Sequence, residues 1–199
     1  MAKIKLTKNE HKKQKDSLKR FQRYLPTLML KKQQLQAEIR TVEVRITELK
    51  RQKEQMEISF TKWIAIYGEE GIFTPDILRI TKMVVGEGNI AGVAIPVFEG
   101  AEFETTQYDL IATPLWLDKA VDSMKRTLLL DLQMQCLEEQ QRRLKKELQT
   151  TSQRVNLFEK IKIPEAKANI KKIAVYLGDQ QTAAVVRGKI SKRGMEKAR

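Results

Sequence analysis

The sequence predicts a mainly α protein, a long antiparallel two-helix coiled coil with a small β-hairpin-containing insert between the helices. Three observations carry this. Apolar residues recur at alternating steps of three and four for more than six heptads near the N-terminus. The same spacing returns in the C-terminal half. Between the two stretches lie six of the nine glycines and three of the five prolines. A sustained heptad seam is the mark of a coiled coil, whereas glycine and proline punctuate turns.

The first element is assigned to residues 8–67. Its seam runs Leu18, Phe21, Leu25, Leu28, Lys32, Leu35, Ile39, Val42, Ile46, Leu49, Lys53, Met56, Phe60 and Trp63. Twelve of these fourteen are apolar, and the flanking Gln, Lys, Arg and Glu favour helix. At the rise of an α-helix, Leu18–Trp63 spans about 70 Å. Lys32 and Lys53 sit at core positions, where a polar residue costs stability and fixes register. Pro26 removes one backbone hydrogen bond, so a kink is expected near Tyr24–Leu25.

Residues 68–114 form the insert. Arg79–Val85, Asn89–Phe98 and Ala101–Gln107 read as short strands, with turns at Gly86-Glu87-Gly88-Asn89 and Glu99-Gly100. Asp76–Lys82 reads equally well as a short helix after Thr74-Pro75. The Gly86-Glu87-Gly88 spacing is a poor phosphate loop, because no Lys-Ser/Thr and no helix follow it.

Helical spacing resumes over residues 115–178. The stripe is Leu117, Val121, Met124 and Leu128, then shifts phase to Leu130, Met134, Leu137, Gln141, Leu144, Leu148, Thr151, Val155 and Phe158. Such a shift alters supercoil winding locally. Beyond Pro164 the stripe is Ala166, Ile170, Ile173 and Leu177, with Gly178 as the expected C-cap. Residues 179–199 read as a basic, partly ordered docking tail. Two long seams joined by a compact insert imply a fold-back that brings both termini to one tip.

Charge supports that reading. The net charge is +13. Residues 1–32 hold eleven Lys/Arg against two acids, and residues 187–199 hold six against one, so the excess belongs to the ends. Those ends call for a negatively lined partner. No apolar run reaches the roughly 20 residues that span a bilayer. The basic N-terminus lacks the apolar stretch of a signal peptide, and the lone Cys136 suits a reducing compartment. A cytoplasmic location, peripheral to a membrane through partners, is the expectation.

Catalytic chemistry finds few residues. His11 stands beside Lys12 and Lys13 as a solvated helix-start residue. Cys136 has no histidine within its own stretch to activate it. Glu138 and Glu139 are helix neighbours that point in different directions. No Cys/His set suits zinc, so neither a metal nor another cofactor is expected. A pI near 9.8 keeps nucleic-acid binding open, but no aromatic stacking platform accompanies the terminal cations. A coiled-coil adaptor is a further alternative. The physical reading is a mechanical or assembly role.

A more specific likeness lies in the C-terminal half. Gln153-Arg154-Val155-Asn156-Leu157-Phe158-Glu159-Lys160, then Ile163-Pro164-Glu165-Ala166-Lys167-Ala168-Asn169-Ile170-Lys171-Lys172-Ile173, resembles the signature of the D subunit of V-type and archaeal A-type rotary ATPases. Leu177-Gly178-Asp179-Gln180-Gln181-Thr182-Ala183-Ala184-Val185-Val186-Arg187-Gly188-Lys189 is similar too. Leu6-Thr7-Lys8 and Leu30-Lys31-Lys32-Gln33-Gln34-Leu35 match the opening more loosely. Pro26 and Gln33-Gln34 depart from the pattern and point to a bacterial branch.

The resemblance implies a non-catalytic central-stalk rotor shaft. It implies partners in the catalytic A and B subunits, the F subunit of the stalk and a socket subunit (C or d) over the membrane ring. Rotation would couple ATP synthesis or hydrolysis to H⁺ or Na⁺ transport. On that reading the coiled-coil seam includes Leu25, Leu28, Leu35, Ile39, Val42, Ile46, Leu49, Leu144, Leu148, Val155 and Phe158. Gln180, Gln181, Arg187, Lys189, Lys192 and Arg193 form a tail that contacts the hexamer.

Overall fold

The computed structural model describes residues 4–61, 77–106 and 116–197. The elements in order are helix α1 (Lys8–Thr61), strands β1 (Leu78–Ile90) and β2 (Val93–Thr105), helix α2 (Trp116–Asn156), a π-helical turn (Leu157–Lys162) and helix α3 (Ile163–Lys197). The expected boundaries at Tyr67-Gly68 and Pro114-Leu115, and Trp63 on the first seam, lie outside the described residues. The chain divides into two compact units. A terminal unit comprises Met1–Lys32 with Thr150–Arg199, and a central unit comprises Gln33–Gln149.

Helix α1 starts at a side-chain cap. The Glu10 amide donates to Thr7 Oγ1 at 3.3 Å, meeting one of the backbone donors that a helix start leaves unpaired. The helix then runs through Pro26 without a break in its assignment. Pro26 and Gln22, whose carbonyl would have accepted the missing hydrogen bond, are both exposed, so water can serve that carbonyl.

In the central unit Leu35, Ile39, Val42, Ile46 and Leu49 of α1 form one buried cluster with Leu137 and Leu144 of α2 and Ile95 of β2. Cross-helix pairs fix the direction. Lys53 Nζ meets Asp131 Oδ1 at 2.8 Å, and Lys145 Nζ meets Glu43 Oε1 at 3.1 Å. Moving forward along α1 from Glu43 to Lys53 moves backward along α2, so the helices are antiparallel here. Gln141 Nε2 adds a hydrogen bond to Glu43 Oε1 at 3.0 Å. The seam lysine Lys53 is thus met by a carboxylate from the facing helix.

The insert differs from its sequence reading. In place of the three short strands expected, two strands of 13 residues form. Neither expected glycine turn exists. The reversal is at Ala91-Gly92, between the paired residues Ile90 and Val93. Both turn residues have positive φ, 51° and 79°, as a two-residue hairpin with right-handed strand twist requires. Asn89 Oδ1 accepts the Gly92 amide at 2.9 Å and holds the turn. Gly86 and Gly88 lie inside β1 because β2 crowds them: a Cβ at Gly88 would come 2.8 Å from Val97 Cγ2. The glycines serve close strand packing rather than the turn. The helical alternative for Asp76–Lys82 also fails, since residues 78–82 belong to β1.

The C-terminal reading needs a second correction. Gly178 is not the expected cap, because α3 continues through it to Lys197, so the segment expected to be a partly ordered tail is helical. A glycine inside a helix costs only about 1 kcal/mol relative to alanine, and the Gln, Ala, Lys and Arg that follow propagate helix well. Pro164 is accommodated by the π-turn just before it, where the Ile163 amide bonds to Phe158 O. The wider turn relieves the clash that a proline ring makes with the preceding carbonyls. In the terminal unit, the Phe21 and Phe158 rings pack at 5.2 Å between centroids. Thr151, Val155, Ala166 and Ile173 are buried.

Candidate functional site

The residues with chemical potential are dispersed. Among the described residues no group of three His, Cys, Asp or Glu could hold a metal. Cys136 is buried, and burial pushes its thiol pKa up, the opposite of nucleophile activation. Glu139 forms a forked pair with Arg142 (2.6 Å) and a second ion pair with Arg143 (2.8 Å), which hold its carboxyl at about 2. A carboxylate so firmly ionised is a poor proton donor near neutrality. An open groove of about 520 Å³ between α1 and α2 in the central unit is lined by Gln52, Gln55, Met56, Ser59, Arg126, Leu129 and Leu130. It gathers one cation and no acid, base or nucleophile pair.

Two arrangements stand out instead, one in each unit. The first is the seat of the hairpin. Gln140 Nε2 donates to the Pro96 carbonyl at 2.5 Å, and Cys136 Sγ approaches the same oxygen at 3.5 Å. Arg143 Nη1 donates to the Ala94 carbonyl at 3.2 Å. Positions 136, 140 and 143 lie on one face of α2, where a helix places residues three and four apart. Ile95 between the two acceptors is only 5% exposed and joins the coiled-coil cluster, with Ile90, Ala91 and Val93 packed against it. The base of the hairpin has its own anchor, Ile77 against Leu117 and Val121. The ribbon therefore runs from a base near Leu117 toward Arg143, lengthwise along α2.

Sequence reading misses this seat. It assigns no role to Gln140, and it takes Cys136 for a packed or surface thiol rather than a nucleophile without finding what it packs under. The signal available is the i, i+4, i+7 spacing of Cys136, Gln140 and Arg143 beside the seam of Leu137 and Leu144. What sequence lacks is the ribbon that supplies the acceptors.

The second arrangement is the free end of α3. Gln180, Gln181, Arg187, Lys189, Lys192 and Arg193 are all exposed on this helix, with Val185, Val186 and Ile190 exposed among them. Gln180 Nε2 reaches Tyr176 Oη at 3.4 Å, and Lys192 lies 4.0 Å from Glu196. From residue 178 through 196 every residue is exposed. Of the seam residues, Leu35, Ile39, Val42, Ile46, Leu49, Leu144 and Val155 are buried, and Leu25, Leu28, Leu148 and Phe158 are half-buried.

Comparison with known proteins agrees with a stalk element. Residues 10–193 match the family model of the ATP synthase D subunit. The V-type ATP synthase D subunit of Borreliella burgdorferi is 52% identical over 199 residues, covering 99% of this chain and 97% of that protein. The namesake subunits of Chlamydia trachomatis serovar L2 and Chlamydia muridarum are 35% and 33% identical, each over 98% of this chain and 97% of their own length.

Proposed function

The chain belongs to the ATP synthase D subunit family, and from that premise we propose that it is the rotor shaft of a V-type ATP synthase, turning inside the catalytic hexamer. As a stalk subunit of a rotary ATPase it is part of a membrane-associated complex. Among the described residues no helix is long and apolar enough to cross a membrane. We place the subunit at the periphery of the complex, on the cytoplasmic face. The family leaves the nucleic-acid and adaptor readings without support.

The observation that carries the proposal is the free end of α3. A helix that buries nothing over residues 178–196, yet exposes Val185, Val186 and Ile190 among four cations, is suited to a partner that supplies apolar contact and negative charge. In this reading the A and B subunits supply it. Gln180, Gln181, Arg187, Lys189, Lys192 and Arg193 contact the hexamer, and the F subunit and a socket subunit over the membrane ring bind elsewhere on the shaft.

The mechanism asks no bond chemistry of this chain. Nucleotide chemistry belongs to the hexamer. The shaft biases its three catalytic sites in turn by making different contacts with each, because an element shifts an equilibrium only by differential interaction. Torque requires stiffness along the helices. The cluster from Leu35 to Leu144 and the Lys53–Asp131 and Glu43–Lys145 pairs resist sliding of α1 on α2 in the central unit.

The test is deletion of residues 179–199 in the assembled complex. Loss of ion transport coupled to ATP turnover, with the A, B and F subunits still co-purifying, is expected. Full coupling after the deletion would refute the assignment of the tail. Failure of the intact chain to co-purify with those three partners would refute the shaft itself.

A further inference from the structure

The hairpin is held in two places of different character. Its base is anchored by Ile77, Leu117 and Val121, and by the Thr106 amide bonded to Ile77 O at 3.0 Å. Its outer half is seated on α2 through the carbonyls of Ala94 and Pro96, and through Ile95. Between the two lie breaks in strand register at Ile80/Lys82 and at Val84/Val85, the second of them next to the seated half. A bulge leaves backbone groups unpaired and bends the strand. Gly100 pairs with Val84 at that point, and Gly86 follows directly after the bulge. At Gly100 a Cβ would meet nothing, so its glycine serves backbone freedom rather than packing. A bulge flanked by glycines, between an anchored base and a separately seated outer half, is the arrangement of a hinge.

The seat is narrow. Ile95 is the fully buried residue of the outer half, and Gln140 makes its closest polar contact. Arg143 is exposed, and the Cys136 contact is a long one to sulfur. Two-stranded ribbons are marginal on their own in water, so such a segment remains ordered by being held down.

We propose that residues 85–98 form a releasable strap that lifts off α2 about the Val84/Val85 bulge while the rest of the central unit stays folded, with Gln140 as the positioning residue that holds it shut. Lifting uncovers Leu137 and Leu144 on α2 and frees the Ala94 and Pro96 carbonyls. It also exposes the Cys136 thiol, which the closed strap covers. Local opening of this kind is drawn from the less stable parts of a fold. The opening is a property of the chain itself and does not depend on the stalk reading.

Cys136 is the only cysteine, so its labelling reports the strap directly. The intact chain is exposed to dithionitrobenzoate at a series of urea concentrations below its unfolding transition. Labelling is expected to be at least about tenfold slower than in the unfolded chain, with a rate nearly flat in urea, as local opening exposes little surface. Gln140→Ala should speed labelling by roughly tenfold, the scale of one lost hydrogen bond to a buried acceptor. Gly100→Ala should slow it severalfold by stiffening the hinge. An added Cβ at Gly100 meets nothing within 4 Å, so this variant keeps the seat intact and carries the test even if Gln140→Ala does not fold. A rate that climbs with urea as steeply as global unfolding would overturn the strap. So would labelling as fast as in the unfolded chain, or a rate that Gly100→Ala leaves unchanged.

Discussion

The central and terminal units use the same kind of helix for opposite ends. In the central unit α1 and α2 bury a continuous run of side chains from Leu35 to Leu49 against Leu137 and Leu144, and charged residues pair across the seam. In the terminal unit burial thins to single positions such as Val155, Ala166 and Ile173, and then stops. Beyond Leu177 the helix keeps its form without burying anything. An exposed helix rests on propensity, which contributes little per residue. The central unit is therefore stabilised by its own packing, whereas the exposed end of α3 is, in the proposed function, completed by the subunits it contacts. A mutation should be read accordingly, as a stability effect in one unit and a partner effect in the other.

The largest expected effect tests the packed side. Leu144 is 0% exposed at the centre of its cluster. Leu144→Ala should cost about 2–5 kcal/mol, through lost burial and the cavity left behind, measured by urea unfolding of the isolated chain. A cost below about 1 kcal/mol would mean that the helices of the central unit separate easily, and the contrast between units would collapse.

The Lys53–Asp131 pair sharpens the same side. Lys53 keeps some solvent contact, so replacing it by Met should change stability by no more than about 1 kcal/mol near neutral pH. The pH dependence is the more telling readout. The hydrogen bond to Asp131 raises the Lys53 pKa above its ordinary 10.5, against the opposing effect of burial. A raised pKa in the folded state means the contribution is complete below 10.5 and is lost as pH climbs through the folded value. The stability difference between the parent chain and Lys53→Met should thus be constant from about pH 6 to about 10 and shrink above it. A difference that shrinks between about pH 7 and 5 would point to a different partner.

How much of this was legible depended on where the determinant lay. Heptad spacing marked Leu35, Ile39, Val42, Leu144 and Val155, because one helix's period decides which residues share a face. The polar seam position Lys53 was legible too, but its partner Asp131 was not, since the register between helices is set by packing across the pair. The hairpin was legible in kind and misread in detail. Gly86, Gly88 and Gly100 carry the composition of turns, yet a strand glycine that yields to Val97 looks the same in sequence as one that turns the chain. The reversal fell on Ala91-Gly92, whose signal, Asn89 two residues before, is weaker than a Gly-rich run. Gly178 failed as a stop signal for a related reason: no proline follows it, and α3 absorbs Gly188 and Gly194 as well. The tail residues Arg187, Lys189, Lys192 and Arg193 were legible as charge, and the structure adds that they ride on a helix with Val185, Val186 and Ile190 exposed beside them.

A third prediction concerns acid. Glu139 is held at about 2 by its bonds to Arg142 and Arg143, and Arg143 in turn reaches Ala94 O on the hairpin. A depressed carboxyl pKa contributes stability above its ordinary 4.5 and loses it as pH falls toward 2. Cys136 labelling is unsuited to that range because the thiolate vanishes there, so hydrogen exchange of residues 85–98 is the appropriate measure. Exchange protection in this segment should fall between pH 4.5 and about 2 more than exchange chemistry alone predicts, and Glu139→Gln should abolish the difference. Equal behaviour of the two chains would mean that the fork does not support the seat.

The smallest expected effect on the fold comes from the other unit. Arg187, Lys189, Lys192 and Arg193 are exposed, so replacing all four by Gln should alter the stability of the isolated chain by less than about 0.5 kcal/mol. Glutamine is itself a good helix former, which leaves propensity almost unchanged. In the assembled complex the same variant should weaken coupling between ATP turnover and ion transport, and the loss should resemble that of the parent complex at raised salt, because screening removes the same attraction. If the four substitutions destabilised the isolated chain by several kcal/mol, the free end of α3 would hold contacts within its own unit. If they changed neither stability nor coupling, the exposed Val185, Val186 and Ile190 rather than the cations would be what the partner grips.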